Sequence, residues 1–242
     1  MTALFLTIIS TVLVSLLSLS GAVLMFFLKR KLQMYLLQVV ALAAGTLMGS
    51  AFLHLIPEST ETLSVRSVNI ILLSAFITFF LLEKILQWHH HHEYDQESHT
   101  IGYISLAGDL IHNFIDGLII YASFYTSTAL GITTAFAVIL HEIPQEIGDF
   151  GVLLHSGFSK SKALISNLLV SLTSIAGGLI GYLWLEGSSA LTPYITAFAA
   201  GGFIYTAASD LLPEIRHGTK QNRSWITFLI FLAGVMLMLF TE

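Results

Sequence analysis

Long apolar runs separated by short polar interruptions dominate the chain. They predict eight membrane-spanning helices at approximately 3–28, 33–57, 67–88, 101–125, 128–154, 161–184, 191–212 and 224–241. Their lengths suit helices, since a barrel strand needs only about ten alternating residues. A helix also satisfies its own backbone in lipid, where no water can do so. The predicted fold is an all-α membrane protein, with residues 1–242 forming a single transmembrane domain.

The pattern also repeats. Residues 41–58, ALAAGTLMGSAFLHLIPE, align without gaps on residues 197–214, AFAAGGFIYTAASDLLPE; Ala44/Ala200, Gly45/Gly201, Ala51/Ala207, Leu55/Leu211, Pro57/Pro213 and Glu58/Glu214 coincide. These stretches fall in spans 2 and 7, which cross in opposite directions. Spans 1–3 and 6–8 are therefore expected to form an inverted repeat around spans 4 and 5. Such repeats place a substrate site near the midplane.

Spans 4 and 5 break the apolar pattern most. One carries HNFIDG and the other HEIPQEIGDF, so His112, Asn113, Asp116, His141, Glu142, Gln145, Glu146 and Asp149, together with Asp109, stand among Ile, Leu, Phe and Val. Ionisable groups in lipid cost several kcal/mol unless they pair or bind something, which marks them as a functional site. Residues i and i+4 lie about 40° apart and about 6 Å along a helix, so His112 and Asp116 share a face, as do His141, Gln145 and Asp149. Imidazole, carboxylate and amide oxygen together suit zinc, iron(II) or manganese, and bridging carboxylates could hold two ions. Pro144 removes a helical hydrogen bond, as happens where a helix lines a cavity. The competing structural reading is that single His or Asn residues bond across helices, while Gly117, Gly148 and Gly151 allow close packing. Nine polar groups exceed what two helices need for that purpose.

Composition sharpens the class. Charged residues make up 10% of the chain, hydrophobic residues 55%, and no Cys is present, with a mean hydropathy of +0.81. Thiolate metal sites, disulfides and a Cys nucleophile are excluded, and no nucleic-acid face is visible. Lys29, Arg30, Lys31, Lys84, Lys160, Lys162, Arg216, Lys220 and Arg223 fall in or beside the loops after spans 1, 3, 5 and 7, against Arg66 alone on the other side. The positive-inside rule then puts both termini outside the cytoplasm. The apolar N-terminus lacks a basic region, so the first helix is expected to stay in the mature protein. After span 3, residues 89–99 contain His89, His90, His91, His92 and His99 with three carboxylates, a composition suited to loose metal buffering on the cytoplasmic side.

HEIPQ also partly matches the zinc-hydrolase pattern H-E-x-x-H, with Glu142 as general base, but Gln145 stands where the second His belongs. An intramembrane zinc-dependent hydrolase is the alternative reading.

Across essentially the whole chain the sequence resembles the ZIP (ZRT/IRT-like) family of divalent metal transporters. HNFIDG, HEIPQEIGD, the His-rich loop and the paired AFLHLIPE and AASDLLPE ends carry the resemblance. It implies a transporter rather than an enzyme, taking zinc, with iron, manganese and cadmium as further candidates, into the cytoplasm through a binuclear site between spans 4 and 5. His112, Asp116, His141 and Gln145 would form the first metal position. Asn113, Glu142 and shared ligands would form the second, with Glu146 in the same ligand stripe and Asn167 or Ser171 as the span 6 ligand. The resemblance puts His54 and Glu58 near the outer entrance, Asp210 and Glu214 towards the exit, and Asp149 on the pathway. Gln145 replaces the His that similar members carry, which makes it the expected determinant of metal preference. The remaining expectations are a metal ion substrate and a lipid bilayer as partners, room for a homodimer, pH-dependent transport, and a bacterial inner membrane.

Overall fold

The computed structural model describes residues 2–88, 97–185, 189–218 and 224–240. Its elements are α1 (Thr2–Ser50), α2 (Ile56–Thr62), α3 (Val65–Trp88), α4 (Glu97–Thr126), α5 (Thr128–His155), α6 (Lys160–Ser171), α7 (Thr173–Leu185), α8 (Thr192–Tyr205), α9 (Leu212–Gly218) and α10 (Ser224–Leu239). A π-helical turn joins α1 to α2 over Ala51–Leu55, and another joins α8 to α9 over Thr206–Leu211. A 3-10 turn, Ser189–Leu191, leads into α8. No strand occurs among the described residues, as the apolar run lengths predict.

Three boundaries differ from expectation, each for a local reason. The break expected at Lys29–Lys31 is absent, and α1 is assigned as one helix of 49 residues. No Gly or Pro lies between Gly21 and Gly45, and Lys and Arg are good helix formers, so nothing interrupts the backbone there. Apolar residues from both parts of α1, Ala3, Leu6 and Val14 as well as Val40, Ala43, Ala44 and Leu47, nevertheless enter one core cluster. Second, α4 begins at Glu97, taking in the end of the His-rich loop; His89 to His92 lie outside the described residues. Third, the single helix expected over 161–184 is interrupted at Leu172, between α6 and α7. The hydroxyls of Ser171, Thr173 and Ser174 donate to the carbonyls of Leu168, Val170 and Ser171, competing with the backbone for its own acceptors.

Among the described residues, four stretches are long and apolar enough to cross a bilayer: Ala3–Ser20, Leu36–Thr62, Val65–Ile85 and Lys160–Leu185. α10 adds a shorter apolar helix, Trp225–Leu239. α4 and α5 have 30 and 28 residues, more than the roughly 20 a crossing needs, and differ by carrying the polar residues. They pack on each other, α5 also against α1 and α4 also against α7. The α4–α7 crossing needs glycine, because a Cβ at Gly117 would strike the carbonyl of Ser174, and one at Gly177 the carbonyl of Phe114. Gly148 and Gly151 have no neighbour that a Cβ would meet, so they serve no such packing.

The aligned stretches found in the sequence share one local irregularity. Ile56 N–H bonds Ala51 O, and Leu212 N–H bonds Ala207 O, which are the same alignment positions. In each case a proline follows, Pro57 or Pro213. Lacking an N–H, it cannot complete the i→i−4 ladder, and the helix widens by one residue just before it.

Candidate metal site

α4 and α5 bring four side chains to one point. His112 and Asp116 come from α4, His141 and Glu142 from α5, and a ligand atom from each lies within 4.8 Å of the other three, the one such group among the described residues. His112 Nε2 is 3.2 Å from His141 Nε2, 3.5 Å from Glu142 Oε1 and 3.7 Å from Asp116 Oδ2. His141 Nε2 is 3.0 Å from Asp116 Oδ2 and 3.7 Å from Glu142 Oε1. Zinc bonds to nitrogen and oxygen of about 2.0–2.1 Å put tetrahedral ligand atoms about 3.3 Å apart. The observed separations fall around that value.

Protonation logic sharpens the point. His141 Nδ1 lies 3.1 Å from the carbonyl of Ala137, an acceptor only, so Nδ1 carries the hydrogen and Nε2 offers a lone pair. That lone pair faces a carboxylate oxygen and another imidazole nitrogen. Asp116 Oδ2, Glu142 Oε1 and Glu142 Oε2 are buried without a hydrogen-bond donor. Asp116, His141 and Glu142 are at most 2% exposed. Orphaned acceptors at such depth are costly unless a cation lies between them.

The other expected ligands divide differently. Asn113 Nδ2 donates to Asp109 Oδ1 at 2.9 Å, and Gln145 Nε2 approaches the same oxygen at 3.5 Å. The amide nitrogen of Gln145 is thus turned to a neighbouring polar cluster centred on Asp109, and Glu142 stands with His112, Asp116 and His141 in the group of imidazoles and carboxylates. This undercuts the hydrolase geometry too, since the position of the second His of H-E-x-x-H faces Asp109 and Glu142 stands among the ligands. Glu146 is fully buried, with neither carboxylate oxygen bonded, outside the four-residue group. Asn167 donates to the backbone carbonyl of Glu146, and Ser171 turns its hydroxyl onto its own helix. Asp149 accepts from Ser105 at 2.8 Å.

Two openings lie along α5. A cavity of about 470 Å³ is lined by His112, Asp109, Pro144, Gln145, Gly148 and Asp149, and beyond them by Glu83 and Asp210. It continues past the ligands towards the end of α5 that precedes Lys160 and Lys162. Near the start of α5 a second pocket of about 230 Å³ contains His54, Glu58 and Glu61 with Ser127, Leu130 and Thr133. His54 Nε2 donates to Met238 O at 2.8 Å. Between this pocket and the ligands α5 presents buried Thr134, Ala137 and Val138, and Phe203 packs edge-on against the His141 ring at 5.9 Å. The four-residue group thus meets the first cavity through His112, while none of its members lines the second pocket. Glu214 falls on α9, beyond Asp210.

Of the lining residues, Asp109 stands in the polar run without a part of its own there, and Glu83 and Tyr205 stand outside it. Asp109 lies four residues before Asn113, a spacing that was open to inspection. Glu83 is an acidic residue near the end of an apolar span, a recognisable signal. Tyr205, whose hydroxyl donates to Glu83, leaves no trace in the pattern.

The profile described as ZIP zinc transporter matches residues 2–100 and 87–242, essentially the whole chain. Zinc transporter ZIP13 of Pongo abelii is 31% identical over 223 residues, covering 84% of this chain and 66% of its own. Zinc transporter zipt-7.2 of Caenorhabditis elegans is 36% identical over 148 residues, covering 60% of this chain and 32% of its own. Zinc transporter SLC39A7 of Homo sapiens is 41% identical over 144 residues, covering 57% and 31%. The chain thus spans about one third to two thirds of the lengths of these curated relatives. All three are eukaryotic, so the expectation of a bacterial membrane gains no support from them. The profile match along the full chain, together with apolar helices long enough to cross a bilayer, makes this an integral membrane protein of the ZIP family.

Proposed function

We propose that the chain transports a divalent transition metal, zinc first, through the site formed by His112, Asp116, His141 and Glu142. The observation that carries this reading is the convergence of two imidazole nitrogens and two carboxylates at tetrahedral-edge spacing with orphaned acceptors. Its relatives are named zinc transporters, and the two-nitrogen, two-oxygen donor set suits that ion. Iron(II) and manganese fit the same donors with less preference for imidazole.

The cargo moves towards the end of the molecule bearing Lys160 and Lys162, the cytoplasmic side under the positive-inside rule. The cavity at that end supports the direction, with Asp149 and Asp210 along it. His54 and Glu58 serve the opposite entrance, where they line a separate pocket. Alternating access follows from motion of the repeat units 1–3 and 6–8, and the matched π turns at Ala51–Leu55 and Thr206–Leu211 support their correspondence.

Zinc-65 uptake into vesicles carrying the purified protein tests the proposal. His112→Ala, Asp116→Ala and Glu142→Ala are each expected to lose uptake while the protein stays in the membrane. Wild-type uptake in all three variants would overturn the site.

A further inference from the structure

We infer that Asp109 is a positioning residue: it holds the N–H groups of Asn113 and Gln145, and so turns both amide oxygens towards the cation. The inference rests on the metal-binding reading above and adds to it a residue outside the four-ligand group.

The geometry is specific. Asp109 is 4% exposed and sits one helical turn before Asn113 on α4. Its Oδ1 accepts from Asn113 Nδ2 at 2.9 Å and faces Gln145 Nε2, from α5, at 3.5 Å. Asn113 Nδ2 also donates to the Asp109 backbone carbonyl at 3.2 Å. Asp109 Oδ1 takes hydrogens from both side chains, so it selects the nitrogen end of each amide. An amide has one nitrogen and one oxygen end, and fixing the first directs the second away. The consequence is visible at Asn113, whose Oδ1 is fully buried and has no partner.

That orphaned oxygen belongs to a residue on the helix face of the metal group, since Asn113 lies three residues before Asp116 on α4. Gln145 lies one turn after His141. A neutral amide oxygen is a hard donor able to complete the coordination of a divalent ion. Without Asp109 each amide could rotate and present N–H hydrogens to the cation, which repels them. Outer residues that orient ligands typically change metal affinity by about 10- to 100-fold when removed.

Zinc and manganese titrations of the purified protein in detergent, against a competing chelator, test this separately from transport. Asp109→Ala is expected to raise the zinc Kd by about 10- to 100-fold with the number of bound ions unchanged. Asn113→Asp in the Asp109→Ala background is expected to recover most of the loss, because a carboxylate has oxygen at both ends and needs no orientation. The smaller change Asp109→Asn, which keeps one acceptor for the two amides, should fall between wild type and Asp109→Ala, and it carries the test if Asp109→Ala does not fold. An unchanged Kd in both single variants, a loss of bound ions, or failure of Asn113→Asp to restore affinity would each overturn the positioning role. Protein that binds zinc in this pattern but moves none across vesicles would overturn the transport reading and leave this one standing.

Discussion

Two polar clusters share α4 and α5, one helical turn apart, and they are built on opposite hydrogen-bond logic. In the first, Asp116, His141 and Glu142 turn lone pairs towards a point that His112 also reaches, and Asp116 Oδ2 and both Glu142 carboxylate oxygens lack a donor. In the second, Asp109 Oδ1 is met by amide donors from Asn113 and Gln145, while Asp109 Oδ2 and Asn113 Oδ1 are buried without a partner. Identical burial therefore has opposite meanings. A knot of acceptors lacking donors asks for a cation, whereas a carboxyl oxygen supplied with N–H groups from two helices organises its neighbours. Both use residues of the same polar run, which is why composition alone merges them.

The largest test of this division is removal of a ligand from the first cluster. Asp116→Ala and His141→Ala should each weaken zinc binding by more than the about 100-fold upper range of an orienting residue, measured by chelator competition. A loss no greater than that of Asp109→Ala would erase the distinction between the clusters. The next effect concerns the second cluster itself. Gln145→His places an imidazole opposite Asp109 and is expected to shift the zinc-to-manganese uptake ratio towards zinc by about tenfold, roughly one ligand's preference. Unchanged ratios would remove Gln145 from the determinants of selectivity.

Smaller changes should touch both clusters alike or neither. Gly117→Val drives a side chain into the Ser174 carbonyl, so α4 must shift away from α7; a thermal melt is expected to show a loss of about 1–3 kcal/mol, typical of overpacking. A variant as stable as wild type would mean that α4 is not fixed by this crossing. Tyr205→Phe removes the hydrogen bond to Glu83, far along the cavity, and should cost about 0.5–1.5 kcal/mol in stability. Its zinc Kd should stay at the wild-type value, and a shift in Kd would couple α8 to the ligands.

Much of the site was legible because helical spacing is rigid. The i, i+4 pair His112 and Asp116 could only share a face, and the adjacent pair His141 and Glu142 could only leave α5 side by side, whatever surrounds them. The contact of Gln145 with Asp109 was not legible, because spacing places Gln145 on the His141 face without saying what faces it. One turn along α4, Asp109 stands opposite and captures the amide. The break between α6 and α7 was hidden for a similar reason: VSLTS reads as apolar enough to cross, and only the hydroxyl bonds back to the helix reveal the interruption.

The sequence by itself determined the helical class, the membrane habit, the two polar helices, the repeated Pro-Glu ends and the family resemblance. Those depend on local quantities, namely the length of apolar runs, residue spacing along one helix, and charge in loops. Only the tertiary structure decided which four of the imidazole and carboxylate side chains converge, that Asp109 holds two amides, and that the site meets a cavity through His112 while Phe203 packs on the His141 ring. Those depend on the rotation and offset of α5 against α4. These are set by close contacts such as Gly117 on Ser174 and by the summed packing of helices far apart in the chain, a global property that no single stretch records.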